Sequence, residues 1–203
     1  MPFPTNAVST ELDAVNQILS SVGQAPVTTL DLENPEVAIP LNTLKEVSKQ
    51  VQVEGWTFNL ERNVVLQRES DNTIIYPLNA LAIDINTDYH LGQYDVVRRE
   101  NKVYDRLHHT NVFAEDLHCD ILYYIDFQFL PPSLQAYITA KAARIAAIKM
   151  VGDGAINELL AEQEAMTRAF AIEQDCQQGD YTIFGHADDV HYSSYQPFNA
   201  LQR

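Results

Sequence analysis

The residues with the most reactive side chains gather in one stretch: His108, His109, His118 and Cys119. Histidine and cysteine are zinc ligands, and a cysteine near a histidine is a thiol beside a possible base. The spacing meets neither chemistry. A structural zinc site takes closely spaced ligand pairs with a second pair at a defined distance, whereas His108 and His109 are adjacent rather than offset on one face. His118 and Cys119 are adjacent too, and neighbours on a strand point to opposite faces. Paired carboxylates for glycoside cleavage could come from Glu115, Asp116, Asp120 and Asp126, or from Asp188 and Asp189. With 28 acidic residues in the chain, such pairs arise by composition alone. No serine-centred nucleophile elbow, phosphate-binding glycine loop or dinucleotide fingerprint occurs. The sequence therefore asks for no enzyme, no metal and no cofactor.

The balance of the chain narrows the class. Its 203 residues suit one large domain or two small ones, and 46% hydrophobic with 20% charged residues is a globular composition. No apolar run approaches the ~20 residues that span a bilayer, so no membrane anchor is expected. The start, MPFPTNAVST, lacks the basic-then-apolar order of a signal peptide. Cys119 and Cys176 lie far apart and read as reduced thiols of a protein made in the cytosol. A net charge of −15 disfavours gripping a phosphate backbone, although it suits a protein that lets nucleic acid pass without sticking. Arg98, Arg99 and Lys102 form a local basic group that reads as a solvated strand or turn face.

The elements that would hold these residues alternate in kind. Leu12, Val15, Ile18, Leu19 and Val22 make one apolar helical stripe, with Ser9 or Thr10 as cap and Gly23 as a left-handed stop. Asn34-Pro35 opens a second helix carrying Val37, Leu41, Leu44, Val47 and Val51, ended by Gly55. Pro40 should kink or delay that helix, which favours a span of about 41–54. From Thr57 to about Leu130 the periodicity changes to short runs rich in Val, Ile, Tyr and Phe: 63–67, 73–76, 80–85, 94–98, 102–104 and 120–127. These lengths suit a small antiparallel sandwich or partly open barrel of about six strands. Pro131-Pro132 switches the chain back to helix, over about 133–151 and, after Gly152 and Asp153, on to about Gln177.

The predicted fold class is α+β. A four-helix bundle-like domain, 8–56 with 131–178, is interrupted by a β domain, 57–130, and followed by an extended arm, 179–203. Tyr181, Phe184, Tyr192, Tyr195 and Phe198 stud that arm, broken by Gly185 and Pro197. It has too few aliphatic residues for a core of its own. Docking on another chain is the favoured reading, since aromatic residues anchor interfaces, and wrapping on its own domain is the other.

Two segments carry a resemblance. The opening helix with AVNQILSSVGQAPVTTLD, followed after the second helix by EGWTFN, is similar to the tail tubular protein A family of short-tailed bacteriophages. Tyr104-Asp105-Arg106, the LPPSLQAYITAKAAR helix and EQDCQQGDYTIFGHADD agree with it, so the likeness runs from the first helix to the arm. It implies a virion protein of the short tail, assembled in the host cytoplasm: an adaptor ring of about twelve copies between portal protein and tail nozzle (tubular protein B). It also implies attachment of tail fibres near that junction and DNA passing through the channel during ejection without specific binding. The aromatic arm would contact neighbours or portal. A secondary peptidoglycan or polysaccharide hydrolase activity is the alternative, with no residue here to carry it.

Overall fold

Thr10 and Asp13 start the first helix together. The Thr10 hydroxyl accepts from the Asp13 N–H at 3.2 Å, and the Asp13 carboxylate accepts from the Thr10 N–H at 3.0 Å. This reciprocal box satisfies two donors that α1 (Glu11–Ser21) would otherwise leave open. The computed structural model describes residues 9–90 and 92–179. Gly23, at φ +77°, turns the chain out of α1. Asn16 then fixes the exit, donating to the Val27 carbonyl at 2.9 Å and accepting from the Val27 N–H at 2.7 Å.

The second helix, α2 (Pro35–Gln52), begins at its Asn34 cap and runs through Pro40. Pro40 does not delay it, contrary to the sequence expectation. The donor it lacks would have served the Glu36 carbonyl in the first turn, where Glu36 is exposed and solvent can substitute. Pro40 itself is buried, so its ring adds to the core.

The later helices fall where the sequence puts them. α4 (Pro132–Met150) and α5 (Gly154–Gln178) flank Gly152, whose φ of +72° makes the turn between them, and Asp153 caps α5 by accepting from the Ala155 N–H. The alanine-rich α4 packs against α1, α2 and α5 and is the centre of the helical core. Ile18, Leu44, Val51, Trp56, Tyr137 and Ile138 fill that core. The α1 stripe is thus buried inside its own chain.

Between α2 and α4 lie β1 (Leu60–Leu66), β2 (Ala80–Ile85), the one-turn α3 (Thr87–His90), β3 (Val96–Arg99), β4 (Lys102–Asp105) and β5 (Leu117–Tyr123). The first sheet has the order β1-β5-β2, antiparallel throughout; β3 and β4 form a separate hairpin. The described residues thus contain five strands, not six, and no single ladder runs through the unit. Thr73–Tyr76 makes only isolated bridges, Thr73 to Val112 and Ile75 to Lys102, so it changes partner within three residues. Pro77, which follows it, has no donor to extend the pairing. β5 also stops short of Phe127, because the Ile125 N–H and carbonyl are taken by the Gln52 side chain rather than by a strand. Both sheets share one core of Ile74, Val103, Phe113, Leu117, Cys119 and Ile121.

Candidate functional site

The EGWTFN segment closes the helical core and ties it to the β unit. Gly55 adopts φ +81° to reverse the chain after α2, and Trp56 turns in, its Nε1–H donating to the Val51 carbonyl at 2.7 Å. The Asn59 side chain is fully used: its Oδ1 accepts from the Trp56 N–H at 3.0 Å, and its Nδ2 donates to the carbonyls of Gln52 and Tyr123 at 3.1 and 3.0 Å. Gln52 accepts from the Ile125 N–H at 2.8 Å and donates to the Ile125 carbonyl at 2.9 Å. Both side chains are buried, which polar groups tolerate because every bond is made. The motif is therefore a joint between the two regions.

The residues that could have done chemistry are held apart or occupied. Cys119 is fully buried, and burial first, then the charges of Asp120 and Asp84, push its thiol up to about 12. It stays protonated and is no nucleophile. His118 lies on the opposite face, stacked on Tyr89 at 4.1 Å between ring centroids and bonded to Asn63 at 2.7 Å. His108 is 2.5 Å from the buried carboxylate of Asp105, and His109 sits in a turn at φ +55°. Among the described residues no group of three or more His, Cys, Asp or Glu side chains is placed to hold a metal ion.

Three of the carboxylates, Glu115, Asp116 and Asp120, are likewise engaged. Glu115 faces His90 at 3.4 Å, Asp116 pairs with Arg68 at 3.1 Å, and Asp120 accepts from the Asn63 N–H and the Asn86 side chain. Asp126 precedes the short turn Phe127–Phe129 without capping it. Asp188 and Asp189 lie outside the described residues. His90, which the sequence reading passed over, is buried and accepts from the His118 N–H at 3.1 Å. It is a lone histidine in a four-residue helix and carries no sequence signal.

Two features of the helical surface remain. Leu159, Met166 and Phe170, spaced to share one face of α5, are 70%, 63% and 51% exposed, and only Leu160 and Ala171 of that helix are buried. Beside its last turns a groove of about 480 Å³ opens between Trp56, Phe58, Pro131, Leu134, Phe170 and Ala171. Sequence reasoning could not find the groove, because three separated segments make it. The basic group behaves as expected of a solvated turn: Arg99 stacks on Tyr104 at 3.7 Å and Lys102 pairs with Asp71 at 3.1 Å. The arm residues Tyr181, Phe184, Tyr192, Tyr195 and Phe198 lie outside the described residues.

An α+β chain whose polar centre is structural and whose longest helix turns apolar residues outward is built like an assembly subunit. The sequence model of the tail tubular protein family matches residues 12–181, and the chain belongs to that family. It is also similar to the tail tubular protein A of Klebsiella phage KP34, 29% identical over 123 residues. That alignment covers 60% of this chain and 62% of the phage protein. The family places the chain among structural components of bacteriophage tails. No helix described is long and apolar enough to cross a membrane.

Proposed function

We propose that this protein is the adaptor of a short phage tail, forming a ring between the portal protein and the tubular nozzle and giving tail fibres their attachment. The observation that carries the reading is the family match across nearly all of the described chain. The outward face of α5 supports it, since Leu159, Met166 and Phe170 are large apolar side chains that a neighbouring copy would cover. In this reading the helical region carries the lateral packing, and the aromatic arm grips neighbours or portal through Tyr181, Phe184, Tyr192, Tyr195 and Phe198. Copies with a net charge of −15 each present an acidic wall to the channel, along which DNA slides without adhering. The ring forms on the portal as template, and the isolated protein is largely monomeric. The engagement of Glu115, Asp116 and Asp120 lends no support to a hydrolase.

Electron micrographs of the protein mixed with its portal test the proposal. The expected result is a closed ring on the portal, with Asp and Glu outnumbering Lys and Arg toward the axis. A protein that leaves the portal bare, or a ring lined mainly by Lys and Arg, overturns the corresponding part. Leu159→Glu with Met166→Glu should leave the subunit folded and prevent ring closure.

A further inference from the structure

We propose that in the free subunit the groove at the end of α5 is the seat of the chain's own arm, filled by Tyr181 and Phe184. Trp56, Phe58, Pro131, Leu134 and Phe170 form an apolar and aromatic part of the wall, Ser133, Gln174 and Asp175 add polar groups that a tyrosine hydroxyl suits, and about 480 Å³ is within the range that accepts a bulky organic group. The described chain ends at its rim. Gln177 and Gln178 line the groove, and Gly179, buried, follows them as the cap of α5. Asp175 accepts from the Thr57 N–H at 2.9 Å, so the last turn of α5 is fixed against the Trp56–Phe58 turn and the chain leaves the helix beside the opening.

Reach decides which copy supplies the arm. An extended chain covers at most about 3.5 Å per residue, so Phe184 can lie up to about 17 Å beyond Gly179. Phe170, at the far end of the groove, is about 13 Å back along α5 at the helical rise of about 1.5 Å per residue. Residues 181–184 therefore span the whole groove from their own attachment point. A tether this short gives an effective concentration in the millimolar range, above that of any second copy in dilute solution. The inference concerns the free subunit and does not depend on the ring.

Trp56 is the single tryptophan of the chain and lines the groove, so it serves as the reporter. The full chain carrying Cys176→Ser and Thr182→Cys is labelled with bimane, a dye that tryptophan quenches on contact. Cys119 stays unlabelled because it is buried. The expected result is a quenched dye whose quenching is unchanged by dilution and is lost both in Trp56→Phe and in Tyr181→Ala with Phe184→Ala. An unquenched dye at every concentration overturns the proposal. So does quenching that fades on dilution, which would assign the groove to the arm of a second copy. Circular dichroism checks that each variant is folded. If Trp56→Phe is not, the arm variant, checked for folding in the same way, still decides.

Discussion

In the helical region the polar groups that start α1, α2 and α5 are satisfied within a few residues of chain: Thr10 by Asp13, Asn34 by Glu36, Asp153 by Ala155. In the β unit the bonds that tie β1 and the start of α3 to the rest cross long stretches. The Asn63 N–H reaches Asp120, Arg68 reaches Asp116, and Asn86 reaches Asp120. Helices of the first kind can begin to form before the chain has found its tertiary arrangement, whereas the second kind must first close its loops. The difference teaches that one chain holds a locally specified frame and a part specified only by the finished fold. Gln52 and Asn59 sit between them and serve both.

The sharpest way to break this comparison is Phe113→Ala, which empties the centre of the β core. It should cost about 4 kcal/mol, and amides of β1 and β5 should exchange faster while those of α4 keep their protection. Equal loss of protection in α4 would mean that the two regions open as one. At the joint, Asn59→Ala leaves the Trp56 N–H and two carbonyls without their partner and should cost about 3 kcal/mol. A denaturation curve that separates into two transitions would identify Asn59 as the coupling between regions.

Acid should tell the regions apart as well. Although burial opposes it, the Asp105 carboxyl is held below the usual carboxylate range by the Asp95 N–H, by His108 and by the Leu107 N–H. Bonds from Thr73 and Lys102 lower Asp71 to about 2, and bonds from Arg68 lower Asp116. A carboxylate with a depressed folded pKa stabilises above its unfolded pKa, and that stabilisation disappears as pH falls through the folded value. Between about pH 4 and pH 2 the β unit, with these three, should loosen before the helices, to which Asp13 contributes the same shift. Tyrosine fluorescence and far-ultraviolet dichroism followed together across that range would show it; simultaneous loss would argue against it.

Smaller effects refine the picture on the helical side. Thr10→Ala removes one partner of the α1 cap and should cost about 1 kcal/mol in thermal unfolding. Tyr137 is fully buried, and its hydroxyl finds no hydrogen-bond partner among the described residues. Tyr137→Phe should therefore change stability by no more than about 1 kcal/mol, and toward the stable side. A large loss would reveal a partner for that hydroxyl.

The same contrast governs how much could be read from the sequence. Caps, glycine stops and apolar spacing all act within one or two turns, so α1, α4 and α5 were legible to within a residue or two. Pro40 misled only because its missing bond falls in an exposed first turn. The end of β5 was not legible, since Gln52, distant in sequence, occupies the backbone of Ile125. Thr73–Tyr76 has a strand's composition and lacks a strand's continuous partner. Alternation alone separated His118 from Cys119 correctly, while neither the buried His90 nor the three-part groove left any local pattern to read.

The joint has a consequence for how the inserted part tolerates substitution. Gln52 and Asn59 hold the main chain of Ile125 and Tyr123, not their side chains. A backbone carbonyl offers the same acceptor whatever residue carries it. The inserted part can thus exchange its residues, and with them its outer surface, while the stitch to the helices persists.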